Sequence, residues 1–333
     1  VIGIFLIITI QDCIFKNNTV FAGQGKGGAL LLFGHGWKDK YGTELTIVEN
    51  KGCIFERNYA QYGGAVYANG IKLLQNTNVT YIYNTTESQG PGWLAWGGAI
   101  SITKSYTLTN NMCQFISNLA TQKSSNGGAV FASSLEEVIN NVCTFYGNAV
   151  GQSGGALYAE KSSVILSINC DFIHNKVYVS KGTGGAVHAN IVQNKFININ
   201  CTFMYNEAPK SGGAVYFIVD LSQTYTIIRI TNHNCTFVGN VAFIGGAVSI
   251  FQKDVYGQEC SESVVLNRFC KFILNIGMQT AGAVYFDKGC RVLNMHCLFM
   301  QNSVRQLYSN SLKRDRHKLS GGAVKFMQVS LVF

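Results

Sequence analysis

The sequence has little charge and almost no proline. Charged residues make up 13% of its 333 residues and only 2 residues are proline, whereas 36 are glycine. Glu, Lys and Ala never gather into a run with the spacing of an amphipathic helix. Val, Ile, Phe, Tyr and Asn are frequent instead, which is typical of strands joined by tight turns. The composition therefore predicts an all-β protein.

Long apolar runs are missing as well. The run from Val1 to Ile10 has about half of the ~20 residues that a membrane helix needs. A similar stretch, Ile197 to Ile199, precedes Cys201 as this run precedes Cys13. We therefore interpret the run as a β-strand.

A repeated pattern fills the chain. Its first motif, C-x-F-x-x-N, begins at Cys13, Cys53, Cys113, Cys143, Cys170, Cys201, Cys235, Cys270 and Cys297. Its second motif, G-G-A, begins at Gly27, Gly63, Gly97, Gly127, Gly154, Gly184, Gly212, Gly245 and Gly321, with Ala281 to Ala283 as a relaxed copy. The stretch from Val79 to Asn84 is a further copy of the first motif, with Val and Tyr in place of Cys and Phe. A fixed period of this size predicts a solenoid.

Each motif residue has an expected place in a stack of coils. Cys and Phe lie two residues apart and are apolar, so both face the interior of a strand. The Asn lies where the chain must turn, and its amide can bond to the amides of neighbouring coils. We predict a parallel β-solenoid of about ten coils, one domain over residues 1–333. Its structural columns include Cys143, Phe145, Asn148, Cys170, Phe172, Asn175, Cys201, Phe203 and Asn206.

These motifs resemble the repeats of the polymorphic outer-membrane protein (Pmp-like) family, whose hallmark is G-G-A-[ILV] together with F-x-x-N. Examples are Gly63 to Val66 and Phe55 to Asn58. The resemblance implies a right-handed parallel β-helix, displayed on the cell surface or outside the cell, with adhesion as its usual role. The regular Cys before Phe is not part of the family's minimal motif.

One column of side chains is predicted to face outward. It lies two positions after G-G-A, where the preceding Val, Ile or Leu should face the core. Its larger members are Tyr67, Phe131, Tyr158, His188, Tyr216 and Tyr285. Such a row could bind glycans, contact another solenoid or lie under insertion loops. We consider it a possible interaction face.

The cysteines and the glycosylation motifs give further expectations. The cysteines of the repeated column are expected to be buried thiols, while Cys260 and Cys290 lie outside it and form a possible disulfide. Sequons for possible glycosylation begin at Asn17, Asn78, Asn84, Asn200 and Asn234. Asn200 and Asn234 are the better sites because each precedes an inward Cys, and Asn17 and Asn84 should be less accessible.

Patterns that carry chemistry are missing. The six histidines are dispersed, C-x-x-C is absent, and the glycines lack a P-loop Lys, so we expect neither a metal nor another cofactor. The acids occupy unrelated positions in the repeat, which disfavours an enzyme. The basic cluster Lys313, Arg314, Arg316, His317 and Lys318 is interpreted as a solvated loop, and we expect no nucleic-acid partner.

The sequence therefore favours a structural or adhesive surface protein without catalysis. A carbohydrate-binding module that uses the outward column is the alternative, and a polysaccharide lyase or hydrolase is a third. The chain opens and stops inside a coil, so we expect a segment of a longer array or fibre. Partners would be further copies, associating end to end or laterally, or glycans and proteins of a host or cell surface.

Overall fold

Four parallel β-sheets run the length of the molecule in a computed structural model. The structure describes residues 5–21, 24–34, 45–88, 94–191, 195–220, 229–253, 264–287, 291–305 and 322–326. The sheets contain ten, nine, ten and ten strands, and every described strand pairs in parallel with the equivalent strand of the next coil. The described residues form no helix. The prediction of an all-β parallel solenoid of about ten coils is confirmed.

Each coil contributes one strand to each sheet in a fixed order. The strands of the first sheet come before the C-x-F motif, and the strands of the second sheet contain the Phe of that motif. The pre-Cys sheet consists of Phe5–Gln11, Leu45–Lys51, Leu73–Thr77, Thr107–Asn111, Glu137–Asn141, Val164–Ile168, Lys195–Ile199, Arg229–His233, Val264–Arg268 and Arg291–Met295. The Phe sheet consists of Ile14–Lys16, Ile54–Glu56, Thr80–Ile82, Gln114–Ile116, Thr144–Tyr146, Asp171–Ile173, Thr202–Met204, Thr236–Val238, Lys271–Ile273 and Leu298–Met300.

The other two sheets lie before and after G-G-A. The short sheet consists of Tyr59–Ala60, Thr85–Thr86, Leu119–Ala120, Ala149–Val150, Lys176–Val177, Glu207–Ser211, Val241–Ile244, Ile276–Thr280 and Ser303–Val304. The GGA sheet consists of Leu30–Phe33, Val66–Asn69, Ile100–Thr103, Val130–Ser133, Leu157–Glu160, Val187–Ile191, Val215–Asp220, Val248–Lys253, Val284–Phe286 and Val324–Phe326.

A stack of aromatic rings forms the centre of the core. The Phe of each C-x-F motif stacks on the next, with ring centroids 4.7 to 5.0 Å apart and interplanar angles of 2° to 9°. Tyr81 takes the place of Phe in the third coil, and its hydroxyl donates a hydrogen bond to Asn76 Oδ1 at 2.9 Å. The degenerate motif from Val79 to Asn84 is therefore a full coil of the solenoid.

The Asn that ends each C-x-F-x-x-N motif forms a continuous ladder, here called the turn ladder. In a typical coil, both the backbone N–H and Nδ2 of Asn148 donate to Asn175 Oδ1, each at 3.0 Å. Nδ2 of Asn148 also donates to the carbonyl of Phe115 in the preceding coil, at 2.8 Å. Asn148 Oδ1 in turn accepts from the backbone N–H and Nδ2 of Asn118, so both amide hydrogens and the amide oxygen are paired inside the protein.

A second asparagine ladder, the strand ladder, lies three residues before each Cys, and sequence reasoning missed it. Asn50, Asn76, Asn110 and Asn140 are joined by side-chain bonds of 2.8 to 2.9 Å. Asn198, Asn232, Asn267 and Asn294 are joined by bonds of 2.8 Å. The two halves are separated by Ser167, which is too short to bridge them, and Nδ2 of Asn140 has no hydrogen-bond partner in the described structure. The ladder is therefore interrupted in the sixth coil.

The paired glycines lie where successive coils come closest. A Cβ on Gly155 would lie 2.0 Å from the carbonyl oxygen of Gly185 in the next coil, and 2.7 Å from the amide nitrogen of Lys176. Gly154 has φ +70°, in the left-handed region that side chains disfavour. The second position therefore has no room for a side chain, and the first favours glycine, although one coil has Ala281 there with φ of +51°.

Removing one turn-ladder amide should destabilise the protein strongly. In Asn175→Ala, the backbone N–H and Nδ2 of Asn148 lose their acceptor, and the carbonyl of Phe145 loses its donor. We expect a loss of about 2–4 kcal/mol in the free energy of unfolding, because each of these groups stays buried. Chemical denaturation would measure it. The control Asn141→Ala removes a half-buried bond to Asn111 on the outer face, and an equal loss in both variants would contradict the ladder's role.

Completing the strand ladder should have the opposite effect. In Ser167→Asn, the new amide can accept a hydrogen bond from Asn140 and donate one to Asn198, which joins the two halves. We expect about 1 kcal/mol of added stability, because a buried unpaired donor gains a partner. The same denaturation assay would measure it, with Ser167→Ala as the control that adds no amide. A destabilised Ser167→Asn protein would show that the interruption relieves crowding rather than leaving a gap.

Candidate interaction surface

The column predicted to face outward is buried. Tyr67, Tyr158, Tyr216 and Tyr285 are each 8% exposed, His188 is 5% exposed and Phe131 is 2% exposed. The rings stack on one another along the solenoid, with Phe131 and Tyr158 5.5 Å apart and Tyr158 and His188 4.8 Å apart. Of the alternatives for this column, burial therefore fits a covered row rather than an accessible interaction face.

The cause of this burial is local. In two coils, the residue immediately before G-G-A contacts the column residue that follows it by five positions. Thr183 Oγ1 is 2.8 Å from His188 Nδ1, and Ser249 Oγ donates to the carbonyl of Ile244 at 2.8 Å. Trp96 also stacks on Phe131 of the next coil at 4.7 Å. The glycine turn therefore folds the preceding residues back over the column.

His188 is held as a neutral side chain in this column. It lies between Tyr158 and Tyr216, with ring centroids 4.8 and 4.9 Å away. Burial lowers the pKa of His188 to about 3. Protonation of the folded protein at this position would place a charge among apolar rings.

The sequons differ in accessibility. Asn84 is 0% exposed, and it belongs to the turn ladder, where its Nδ2 donates to Asn118. Asn84 is therefore inaccessible in the folded chain, as expected from its place at the turn. Asn17, Asn78, Asn200 and Asn234 are exposed. Contrary to expectation, Asn17 is thus as accessible as the others.

The motif cysteines are free thiols, and most of them are buried. The Sγ of Cys143 donates to the carbonyl of Asn110 in the preceding coil at 3.4 Å. Burial raises the pKa of the Cys53 thiol, and hydrogen bonds with the thiols of Cys113 and Cys170 raise that of Cys143. Among the described residues, no group of three His, Cys, Asp or Glu side chains could hold a metal ion.

Two predicted features lie outside the described residues. The possible disulfide partners Cys260 and Cys290 belong to ranges that the structure does not describe. The same holds for the basic cluster from Lys313 to Lys318. Both remain predictions.

An accessible apolar column lies instead on the outside of the Phe sheet. It consists of the last residue of each strand over eight consecutive coils, directly after the buried Phe. Its members, all half-buried or exposed, are Ile82, Ile116, Tyr146, Ile173, Met204, Val238, Ile273 and Met300. We call this set the outer apolar column. The signal was present in the sequence, because the residue after the Phe of the motif is apolar in these eight coils.

Exposed aromatic rings lie next to this column at the bend that follows each Phe strand, which forms one corner of the coil. Tyr146, His174 and Tyr205 belong to three successive coils, and the ring centroids are 5.9 Å apart for the first pair and 5.2 Å for the second. Tyr205 is 49% exposed, and it lies against Gly239 of the following coil, where a Cβ would come within 2.6 Å of its ring. His174 and Tyr205 stack face to face at 16°, so they present ring edges to solvent.

The other corner carries a short exposed ladder of amides. Nδ2 of Asn200 donates to Asn169 Oδ1 at 3.1 Å, and Nδ2 of Asn234 donates to Asn200 Oδ1 at 3.0 Å. All three residues have φ of +52°, which turns their side chains outward at the bend before Cys. Together, the Phe sheet and its two corners form one elongated face, here called the outer Phe face.

Residues 142–160 match the family model described as the Chlamydia polymorphic membrane protein repeat. This segment of the chain is similar to that repeat. The matched stretch runs from the bend before Cys143 to the end of the strand Leu157–Glu160, and so contains one C-x-F-x-x-N motif and one G-G-A motif. The match and the parallel solenoid together fit a Pmp-like β-helix repeat protein.

The Pmp-like repeat and the solenoid suggest a surface protein. No curated protein and no solved structure is significantly similar to the chain. Nowhere in the described ranges does the chain form a helical segment that could serve as a transmembrane span.

The neutral state of His188 should make stability depend on pH. The pKa of His188 is about 3 in the folded protein and about 6.5 in the unfolded chain. Above pH 6.5 neither state binds the proton. Between pH 6.5 and 3 only the unfolded state binds it, so stability should fall by up to ~1.4 kcal/mol per pH unit as pH decreases.

His188→Phe should remove this contribution, since a phenyl ring suits the aromatic column and does not titrate. The free energy of unfolding, measured by denaturant titration from pH 6.5 to 4, should vary less with pH in the variant than in the wild type. His174→Phe, a change at an exposed histidine, is the matched control and should keep the wild-type slope. Equal slopes for His188→Phe and the wild type would contradict the prediction.

Proposed function

We propose that this chain is a non-catalytic structural and adhesive module displayed outside the cell, and that its outer Phe face makes the protein contacts. The observation that carries the proposal is the outer apolar column, which runs unbroken over eight coils on the surface. Contiguous exposed apolar surface of this kind is typical of protein-binding sites, because its removal from water is favourable. The Pmp-like repeat supports placement at a surface.

The internal structure supports a scaffold role. The motif residues serve to hold the coils together: the Phe rings stack, the Asn amides pair between coils and the thiols lie in the core. A residue that is buried and fully hydrogen-bonded in every coil is not available to a substrate. Exposed positions on the outside of the coils vary from coil to coil, and contacts with partners would be made there.

The carbohydrate-binding alternative has lost the feature on which it depended. It required the rings near Tyr158 and Tyr216 to be accessible, and each of these is 8% exposed. The exposed rings of His174 and Tyr205 face each other, which leaves little free ring face for stacking against a sugar. We therefore favour protein contacts over glycan contacts for the outer Phe face.

Adhesion can be measured with beads coated with the purified chain and a monolayer of cultured cells. We expect bead attachment to fall at least about fivefold in Met204→Glu, because a buried unpaired charge at the centre of a contact is costly. Thr231→Glu, at a half-buried position on the outside of the pre-Cys sheet, is the matched control. Equal attachment of both variants and the wild type would contradict the proposed face.

Two treatments address the alternatives. Trypsin treatment of the monolayer should abolish attachment, whereas enzymatic removal of its glycans should not; the reverse result would contradict a protein contact. Incubation with acidic polysaccharides should release no shorter products, and product formation would contradict the non-catalytic assignment.

A further inference from the structure

The outer Phe face carries a sparse pattern of charge. Over the eight coils of the outer apolar column, each strand of the Phe sheet presents its first and last residues outward. Among these sixteen outward residues, all within the described ranges, only Asp171 and Lys271 are charged. Both are exposed, both are the first residue of their strand, and they have opposite signs.

The spacing of these two charges is self-complementary. Asp171 and Lys271 lie three coils apart, which corresponds to about 14 Å at ~4.8 Å per parallel strand. Consider a two-fold axis that is parallel to the strands and passes between Thr202–Met204 and Thr236–Val238. This axis would place the coils of a second copy opposite the coils of the first in reverse order. The Asp171 strand would then face the Lys271 strand of a second copy, and the Lys271 strand would face its Asp171 strand.

We propose that the outer Phe face pairs with the same face of a second copy of this chain, in antiparallel orientation about this two-fold axis. The proposal rests on the proposed function only in that the face makes protein contacts. An isologous contact of this kind makes every favourable pair twice. Rotation about an axis parallel to the strands also places the first residue of a strand opposite the first residue of the facing strand. The last residues of the two strands are likewise opposite each other. The outer apolar columns of the two copies would therefore pack on each other, with Met204 opposite Val238.

The parallel arrangement is disfavoured by the same side chains. If the two-fold axis ran along the solenoid, each strand would face the same strand of the second copy, running in the opposite direction. Asp171 would then lie against Ile173 of the second copy, and Lys271 against Ile273. Each charge would be removed from water without a partner, which is costly. Only the antiparallel arrangement pairs both charges and buries the apolar column.

The contact area predicts a weak dimer. Six coils overlap in this arrangement, and with both corners included they offer about 500 Å² per copy, at ~4.8 Å per coil and ~3.3 Å per residue along the strand. Stable complexes bury about 800 Å² per partner. We therefore expect a reversible monomer–dimer equilibrium that depends on protein concentration.

Charge exchange tests the arrangement directly. Sedimentation equilibrium of the purified chain at low salt, from about 5 to 200 μM, should show the dimer. Asp171→Lys alone and Lys271→Asp alone should each weaken dimerisation about tenfold, because each places like charges opposite one another at two symmetric points. The double variant Asp171→Lys/Lys271→Asp restores opposite charges and should return to within about threefold of the wild type.

Controls separate this result from a general effect of charge. Lys195→Asp alters an exposed lysine that also begins a strand, but on the pre-Cys sheet, and it should leave the equilibrium unchanged. Met204→Glu should abolish dimerisation while circular dichroism and the thermal midpoint show the fold retained. A wild-type chain that is monomeric at all these concentrations, or a double variant no better than the single ones, would overturn the proposal. Bead attachment that still depended on Met204 would in that case leave the proposed function standing, with a partner other than this chain.

Discussion

Successive coils stack in register, so that equivalent residues lie directly above one another, and the rest of the structure depends on this constraint. Parallel strands lie ~4.8 Å apart, so each motif residue meets the same residue of the next coil at a distance suited to ring stacking and amide hydrogen bonds. The turn ladder shows why this register is specific. Asn148 pairs both hydrogens and its backbone N–H only because Asn175 and Phe115 lie at the equivalent positions above and below. A coil shifted by one residue would leave buried polar groups unpaired in two neighbours.

This constraint separates the inside of each coil from the outside. Inside, a substitution also affects the neighbouring coils, as Ser167 shows by leaving Nδ2 of Asn140 without a hydrogen-bond partner in the described structure. On the outside of the Phe sheet, a residue meets mainly its neighbours in the same column and solvent, so sequence variation there has little effect on the stack. The charges of Asp171 and Lys271 interrupt the otherwise uncharged outward strand residues of eight coils without disturbing the Phe strands that carry them. Such a surface can acquire contacts while the scaffold stays unchanged.

Two rows of apolar side chains point away from the core, and they differ in accessibility because of the turns beside them. In the GGA sheet, the glycine turn brings the preceding residue back over the strand, so that Thr183 contacts His188. In the Phe sheet, the bends on either side place residues such as Asn200 and Tyr205 in the left-handed region, with φ of +52° and +53°. Their side chains extend away at the corners rather than across the strand. The outer apolar column therefore remains accessible.

The sequence by itself determined the fold, because a residue type that recurs once per coil must occupy one column in a parallel stack. Cys and Phe two positions apart indicated the inner side of the strand, and the Asn after them indicated the bend. Alternation along the strand also predicted that Tyr158 and Tyr216 point away from the core. Only the tertiary structure decided that these rings are covered, that Asn84 is buried, and that the accessible face lies on the Phe sheet. Those outcomes depend on how a turn folds over the neighbouring strand, which the period of a sequence does not record.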